Sequence, residues 1–123
     1  MATKSEALKL VLEGLGSVGG IKASAIISID GLPMVSQIPE GVDPNNFSAM
    51  IASMVGAAQT ALKSLGSKSI DRVIAESREI RVVAVQAGED AILAIMMDPT
   101  TNYGLVLLEA KRASDQIAKV MKE

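Results

Sequence analysis

The sequence predicts an α/β (α+β) domain with three layers, in which helices cover both faces of a five-stranded sheet. Three segments place apolar residues at helical spacing, and five shorter segments have the composition of strands, in the order α-β-β-α-β-β-β-α. The first, fourth and fifth predicted strands are nearly continuous apolar runs, which is typical of strands covered on both faces. The second and third strands are more polar, so we place them at the sheet edges. One helix then lies on one face of the sheet and two lie on the other.

The first predicted helix runs from Thr3 to Leu15. Thr3 and Glu6 have the spacing of a capping box, in which a hydroxyl and a carboxylate satisfy each other's backbone N–H groups. The helix ends in the glycine cluster Gly14–Gly20. A chain of 123 residues predicts one domain, with a helix and Gly-rich connector at 1–20 and a core at 21–123.

Five segments predict strands. Ala23–Ile29 and Met34–Ile38 form a hairpin around the tight-turn pair Asp30-Gly31. Three further strands follow the second helix as a meander. They are Ile70–Glu76, Ile80–Ala87 and Ala91–Met97.

The second predicted helix carries no charged side chain from Phe47 to Leu62. The sequence does not fix the first residue of this helix, because Asp43, Asn45 or Asn46 can each act as the N-cap. The helix ends near Leu65. On a 3.6-residue period its apolar arc contains Phe47, Met50, Ile51, Met54, Val55, Ala58, Leu62 and Leu65. We interpret the methionines on this arc as core residues, with an adaptable binding surface as the alternative.

The third predicted helix starts near Thr101 or Asn102 and has one apolar and one charged side. We expect the apolar side to face the core. It consists of Leu105, Leu108, Ala110, Ala113, Ile117, Val120 and Met121.

The side of the second helix opposite its apolar arc is small and almost uncharged, whereas a surface helix normally carries charges there. Small side chains let another backbone approach closely, so we predict a protein contact on this side. The alternative is an exposed face of good helix formers. Gly56 favours the contact, because a mid-helix glycine costs about 0.5–1 kcal/mol relative to alanine. The predicted contact residues are Ala49, Ala52, Ser53, Gly56, Ala57 and Thr60.

The composition excludes several classes of function. The chain has no Cys and no His, which excludes disulfides, thiol nucleophiles and the usual zinc sites and removes the commonest general base. A net charge of −2 is too close to neutral for nucleic acid as the main partner. The N-terminus is polar and no apolar run reaches the roughly 20 residues of a membrane span, which predicts a cytoplasmic protein without membrane insertion. We expect no catalytic residue, no cofactor and no metal.

Two weak motifs do not change this expectation. Gly14–Gly19 matches G-x-G-x-x-G, but a dinucleotide site needs a strand before the motif and a helix after it, and here the order is reversed. Glu40 with Asp43, and Glu89 with Asp90, lie in loops or turns, where acidic residues ordinarily occur.

Several short motifs together resemble the Roadblock/dynein light chain family, and in particular its prokaryotic, MglB-like members. Asp30-Gly31-Leu32-Pro33 follows an apolar strand, and Pro39-Glu40-Gly41-Val42-Asp43 precedes the Ala-rich helix. Asp98–Leu105 is similar to the start of the closing helix of that family. The resemblance covers the chain from about Ile21 to Val120, and the order and spacing of the motifs make it fairly specific.

The resemblance implies a five-stranded antiparallel sheet of order 2-1-5-4-3. It also implies a homodimer, in which the third strands pair at the sheet edge and the second helices lie side by side. Ile70, Arg72 and Ile74 would then join the helix residues in the interface. Prokaryotic members regulate Ras-like small GTPases, so the resemblance implies such a partner and a non-catalytic role as regulator or scaffold. The alternatives are a structural adaptor of a motor or filament-type assembly and, from another class, a small-ligand sensor.

Overall fold

A computed structural model describes residues 3–123, and its elements follow the predicted order. Three helices and five strands make up the fold. They are α1 (Lys4–Gly16), β1 (Ile21–Ser28), β2 (Pro33–Gln37), α2 (Pro44–Ser64), β3 (Val73–Glu76), β4 (Arg81–Ala87), β5 (Ala91–Met97) and α3 (Tyr103–Lys122).

The five strands form one antiparallel sheet of order β2-β1-β5-β4-β3, which confirms the expected topology. The apolar strands β1, β5 and β4 are central, and the more polar β2 and β3 are the edges. β1 and β5 are almost entirely buried, because helices lie on both sides of them. The hydrophobic pattern therefore identified the edges correctly.

Alternate side chains of the central strands enter two separate cores. On one face, Ile26, Leu93 and Ile95 pack with Leu8 and Leu12 of α1 and with the buried side of α3. The other face packs against α2. This second core contains Ala25, Ile27, Ile51, Val55, Ala84, Ile92 and Ala94.

A row of three alanines crosses the sheet beneath α2. Ala25 of β1 pairs with Ala94 of β5, and Ala94 pairs with Ala84 of β4. All three side chains are almost completely buried. Because each contributes only a methyl group, the sheet surface is low here and α2 can pack close to it.

The ends of the helices are fixed by side-chain caps. Thr3 accepts a hydrogen bond from the backbone N–H of Glu6, as the capping box predicts. Asp43 accepts from the N–H of Asn45 at 2.9 Å, which decides the N-cap of α2 in favour of Asp43 with Pro44 in the first turn. Asn102 caps α3 through the N–H of Leu105.

Three expectations about side chains and bounds are wrong. β3 begins at Val73 and not at residue 70, because the pairing with β4 starts at Val73; residues 70–72 line a groove beside α3. Leu105 and Leu108 are exposed, since α3 buries a narrower stripe that includes Val106, Ala110 and Ile117. Met50 is exposed as well.

Candidate interaction surface

The outer face of α2 points away from the sheet and carries no charged residue. The helix buries Ser48, Ile51 and Val55 on the opposite side. Met50 is 58 % exposed at the N-terminal end of the outer face. The α2 outer face consists of Met50, Ser53, Ala57, Thr60, Ala61 and Ser64, all exposed. This surface runs along most of the helix.

The hydroxyl groups on the α2 outer face are bound to their own helix. Ser53 donates to the carbonyl of Ala49 at 2.9 Å, and Thr60 donates to the carbonyl of Gly56 at 3.1 Å. Ser64 likewise donates back to its own helix backbone, at 2.7 Å. Hydroxyls that satisfy helix carbonyls present mainly their carbon atoms outward. The α2 outer face is therefore less polar than its composition indicates.

No contact within the described part of the chain explains why position 56 is a glycine. A Cβ atom added at this position would have no atom of the described residues within 4 Å, apart from the backbone of its own helix. By contrast, a Cβ at Gly31 would lie 3.4 Å from the Cα of Ala49 and the Cβ of Ala52, in a backbone conformation with φ of +94°. Gly31 therefore lets the β1–β2 turn approach α2, whereas a Cβ at Gly56 would meet open space.

The six predicted contact residues of α2 do not all point the same way. Ser53, Ala57 and Thr60 are exposed on the α2 outer face, and Ala49 and Gly56 are half-buried along its flank. Ala52 packs against the second core. The uncharged part of the surface is therefore centred on Ala57, about one-sixth of a helix turn from the centre of the six predicted residues.

The three residues predicted to form the contact at the edge of β3 also lie in different environments. Ile74 is 38 % exposed in β3, and Arg72 is exposed just before that strand. Ile74 pairs with Val83, whose side chain enters the core beneath α1 and α3, so Ile74 lies on that face of the sheet. Ile70 is half-buried and lines the groove beside α3.

Three residues at or beside this surface were not predicted as contact residues from the sequence. Met50 was assigned to the core, although its position on the helical wheel lies close to Ala57. Glu76 binds Arg81 at 3.2 Å beside the open edge of β3, and neither was singled out as a contact residue. Cross-strand pairing explains the second case, because Glu76 and Arg81 are opposite each other only once the β3–β4 register is known.

The described residues form few features suited to binding a metal ion or a small ligand. Within residues 3–123 no group of three or more acidic side chains is placed to hold a metal ion. An apolar cavity of about 80 Å³ lies under the start of α2, lined by Ala23, Ile38, Phe47 and Met96 among others. Ligand sites usually occupy about 300–1,000 Å³ and include placed polar groups, so this cavity gives little support to the small-ligand sensor. Along the same stretch of chain, every helix is too short or too polar to span a lipid bilayer.

Comparisons with known proteins agree with the fold. The Roadblock/LC7 domain family matches residues 7–97. Two uncharacterized proteins of Methanocaldococcus jannaschii, MJ0310 and MJ0714, are 35% and 34% identical to the chain over 107 residues. The aligned residues are 87% of this chain and 93% and 90% of those proteins.

Solved structures are similar to this chain over α3 as well, which lies beyond the residues matched by the Roadblock/LC7 family. An MglB with a tetrameric arrangement has a TM-score of 0.89 and 23% identity, and the alignment covers 99% of this chain and 93% of that one. Myxococcus xanthus MglB has a TM-score of 0.88 and 22% identity, with 94% of each chain covered. At these identities the likeness shows the fold alone. The family match spans most of the chain and relatives above 30% identity cover most of its length, and the chain therefore belongs to the Roadblock/LC7 domain family.

Proposed function

We propose that this protein is a cytoplasmic, non-catalytic homodimer that binds a Ras-like small GTPase and changes its nucleotide state or its location. The observation that carries the proposal is the α2 outer face, which is uncharged and whose hydroxyls are bound to its own helix. Such a surface suits close packing against another helix, and Gly56 leaves space for it. The family resemblance supports the type of partner.

The proposed dimer joins two copies at β3 and places their α2 helices side by side. An antiparallel pairing centred on Ile74 puts Arg72 of each copy opposite Glu76 of the other, on the same face of the sheet. Opposite charges in directly facing positions stabilise strand pairs, and like charges destabilise them. Shifting the centre to Ala75 would place Arg72 opposite Arg78. The charges therefore favour the pairing centred on Ile74.

The role of the dimer would be positional. Two α2 helices and a sheet continuous across the dimer form a rigid platform that holds the switch regions of a GTPase. The chain has no Cys or His to act on the nucleotide, so its effect would come from favouring one conformation of the partner.

The first test is affinity capture from native cell extract, run in parallel with a non-hydrolysable GTP analogue and with GDP. The bait is the wild-type chain, and Ala57→Arg is the variant that blocks the α2 outer face. Leu108→Lys serves as the matched control, because Leu108 is exposed on a different helix.

The proposal is supported if a Ras-like GTPase is recovered preferentially with the GTP analogue by the wild type and the control, and lost with Ala57→Arg. The purified pair is then tested for changed hydrolysis and exchange rates. Recovery of a nucleotide-indifferent assembly, or unchanged rates, would favour the structural adaptor instead.

A further inference from the structure

β3 is shorter than the strand with which it pairs. It covers Val73–Glu76, whereas β4 continues past Ala84, the partner of Val73, to Ala87. Within the described residues, no backbone hydrogen bond joins this end of β4 to residues 70–72, which precede β3. Residues 70–72 bond to no other described backbone group either. Two neighbouring stretches of backbone are therefore left without strand partners on their facing sides.

Residues 70–72 line a groove of about 350 Å³ instead. The rest of its lining comes mainly from the end of β4 and from α3, and includes Val85, Leu107 and Lys111. Ile70 is half-buried in this groove, whereas Asp71 and Arg72 are exposed. The three residues thus lie close to the unpaired end of β4 without forming part of the sheet.

The side chains of residues 70–72 suit a longer β3. The pairs that continue the β3–β4 register are Arg72 with Val85, Asp71 with Gln86, and Ile70 with Ala87. Because side chains alternate between the faces of a strand, Ile70 and Arg72 would lie on the face covered by α3. Ile70 would then sit opposite Ala87, which belongs to the core beneath α1 and α3.

Asp71 would lie on the other face of the sheet, which α2 covers. There Gln59 donates to the side chain of Gln86 at 3.0 Å, and Lys63 follows one helical turn after Gln59. The extended strand would therefore place its apolar residue toward a core and its acidic residue on the side of a lysine. Both placements are favourable.

The proposed dimer requires this extension. Arg72 faces Glu76 of the other copy only when residue 72 follows the strand, yet β3 begins at Val73. The backbone groups of an edge strand point alternately toward its two neighbours, so β4 can bond some of those in residues 70–72 and a second copy the others. Ordering these residues costs conformational entropy, which the bonds to β4 alone offset only in part.

We infer that residues 70–72 join β3 when two copies pair, so that the strand extends to Ile70 in the dimer. This inference rests on the proposed dimer. The side chains of Ile70 and Arg72 then fill the groove beside α3, so the open groove and the complete dimer interface exclude each other. Any change that holds residues 70–72 in the strand should strengthen the dimer, and any change that keeps them out should weaken it.

A disulfide can hold the segment in place, because the chain contains no cysteine of its own. Asp71→Cys combined with Gln86→Cys places two thiols at directly opposite positions of the extended strand pair. The oxidised variant should dimerise at least about tenfold more tightly than its own reduced form, since the segment is ordered before association. Sedimentation velocity between about 1 and 500 μM gives both dissociation constants.

Proline makes the opposite change. Asp71→Pro removes an N–H group at a position that has strand neighbours on both sides in the dimer, so it should weaken dimerisation at least about tenfold. Asp71 is exposed and outside the strands of the single chain, so the variant should stay folded, which circular dichroism checks. Lys68→Pro is the matched control, because Lys68 is exposed in the same loop but lies before the extension.

Hydrogen exchange locates the change in the chain. Mass spectrometry follows the peptide that carries residues 70–72 in samples whose dimer fraction is known from sedimentation. Its amides should exchange at least about ten times more slowly in the dimer than in the single chain. Equal exchange in the two states would overturn the inference.

The inference is also overturned if the oxidised variant dimerises no more tightly than its reduced form, or if Asp71→Pro dimerises as Lys68→Pro does. In either case a wild type that associates leaves the proposed dimer intact. If neither the wild type nor the oxidised variant dimerises, both the inference and the proposed dimer are wrong. An oxidised variant that dimerises beside a monomeric wild type would support the inference.

Discussion

The guanidinium group of Arg81 lies over the ring of Tyr103, 5.0 Å from the ring centroid. Arg81 begins β4 and Tyr103 begins α3, so the contact joins the sheet to the start of the last helix. The same guanidinium binds Glu76 at 3.2 Å, at the end of the edge strand. Within residues 3–123, Arg81 Nε and Tyr103 Oη are buried without a hydrogen-bond partner, which leaves the ring face as the main contact of this part of the arginine.

A double-mutant cycle measures this contact. We expect Arg81→Met and Tyr103→Leu each to lower the free energy of unfolding, with a coupling energy of about 0.5–2 kcal/mol between them. Urea unfolding of the two single variants and the double variant provides the value. Strictly additive effects would mean that the arginine and the ring do not interact.

Substitutions at Gly56 separate the stability of α2 from its contacts. Gly56→Ala should stabilise the folded chain by about 0.5–1 kcal/mol, because alanine favours a helix and its methyl group meets open space. Gly56→Arg should leave the chain folded and break self-association or partner binding. Thermal unfolding and sedimentation are measured on both variants. An interface elsewhere is required if Gly56→Arg keeps both associations.

The register of the proposed β3 pairing is tested by charge exchange. Arg72→Glu should weaken the dimer, because it places two glutamates opposite each other on each side of Ile74. Adding Glu76→Arg restores opposite charges and should recover part of the lost affinity. The recovery is expected to be incomplete, since Glu76 also binds Arg81. Sedimentation equilibrium gives the dissociation constant of each dimer. If the double variant dimerises no better than Arg72→Glu alone, the pairing centred on Ile74 is wrong.

The alanine row beneath α2 is expected to tolerate no larger side chain. Ala94→Val should destabilise the fold by about 1–3 kcal/mol, because the residue is buried between Ala25 and Ala84 and the added methyl groups must displace α2. Ala75→Val is the control, as Ala75 is exposed in the edge strand. Denaturant unfolding compares the two variants, and equal effects would contradict close packing at the row.

Asp98 should make stability depend on pH. The backbone N–H of Thr100, and then its hydroxyl, donate to the Asp98 carboxylate at 3.0 and 2.8 Å, and these bonds lower the pKa of Asp98. Since the pKa is lower in the folded chain than in the unfolded chain, the stabilisation is complete above the unfolded pKa and is lost as pH falls through the folded one. Between about pH 5 and pH 3, the wild type should therefore lose more stability than Asp98→Asn, measured by urea unfolding. Parallel curves for the two proteins would contradict the shift.

The fold was largely predictable because its signals are local. Burial on both sides of β1 and β5 requires continuous apolar runs, and the capping residues Thr3 and Asn102 satisfy N–H groups a few positions away. The start of β3 was mispredicted for the opposite reason. Ile70 gave the predicted strand an apolar start, but the pairing with β4 that defines β3 begins only at Val73.

The surface was less predictable, since helical periodicity gives the angle of each side chain and not the direction of the sheet. The uncharged run from Phe47 to Leu62 correctly marked α2 as unusual. It did not show that Ala52 faces inward against the second core while Met50 faces outward. Ala52 lies near the boundary between the buried and exposed sides of the helix, whereas Met50 lies close to Ala57 at the centre of the outer face.

The sequence by itself determined the order of the elements, the edge strands and the uncharged run of α2 from Phe47 to Leu62. It could do so because period, capping and composition act over a few residues. Only the tertiary structure decided which atoms meet. Gly31 lies close to Ala49 and Ala52 of α2, and the β3–β4 register brings Glu76 to Arg81. The first of these contacts joins two layers of the fold and the second depends on how two strands pair, so their geometry arises only when the elements pack together.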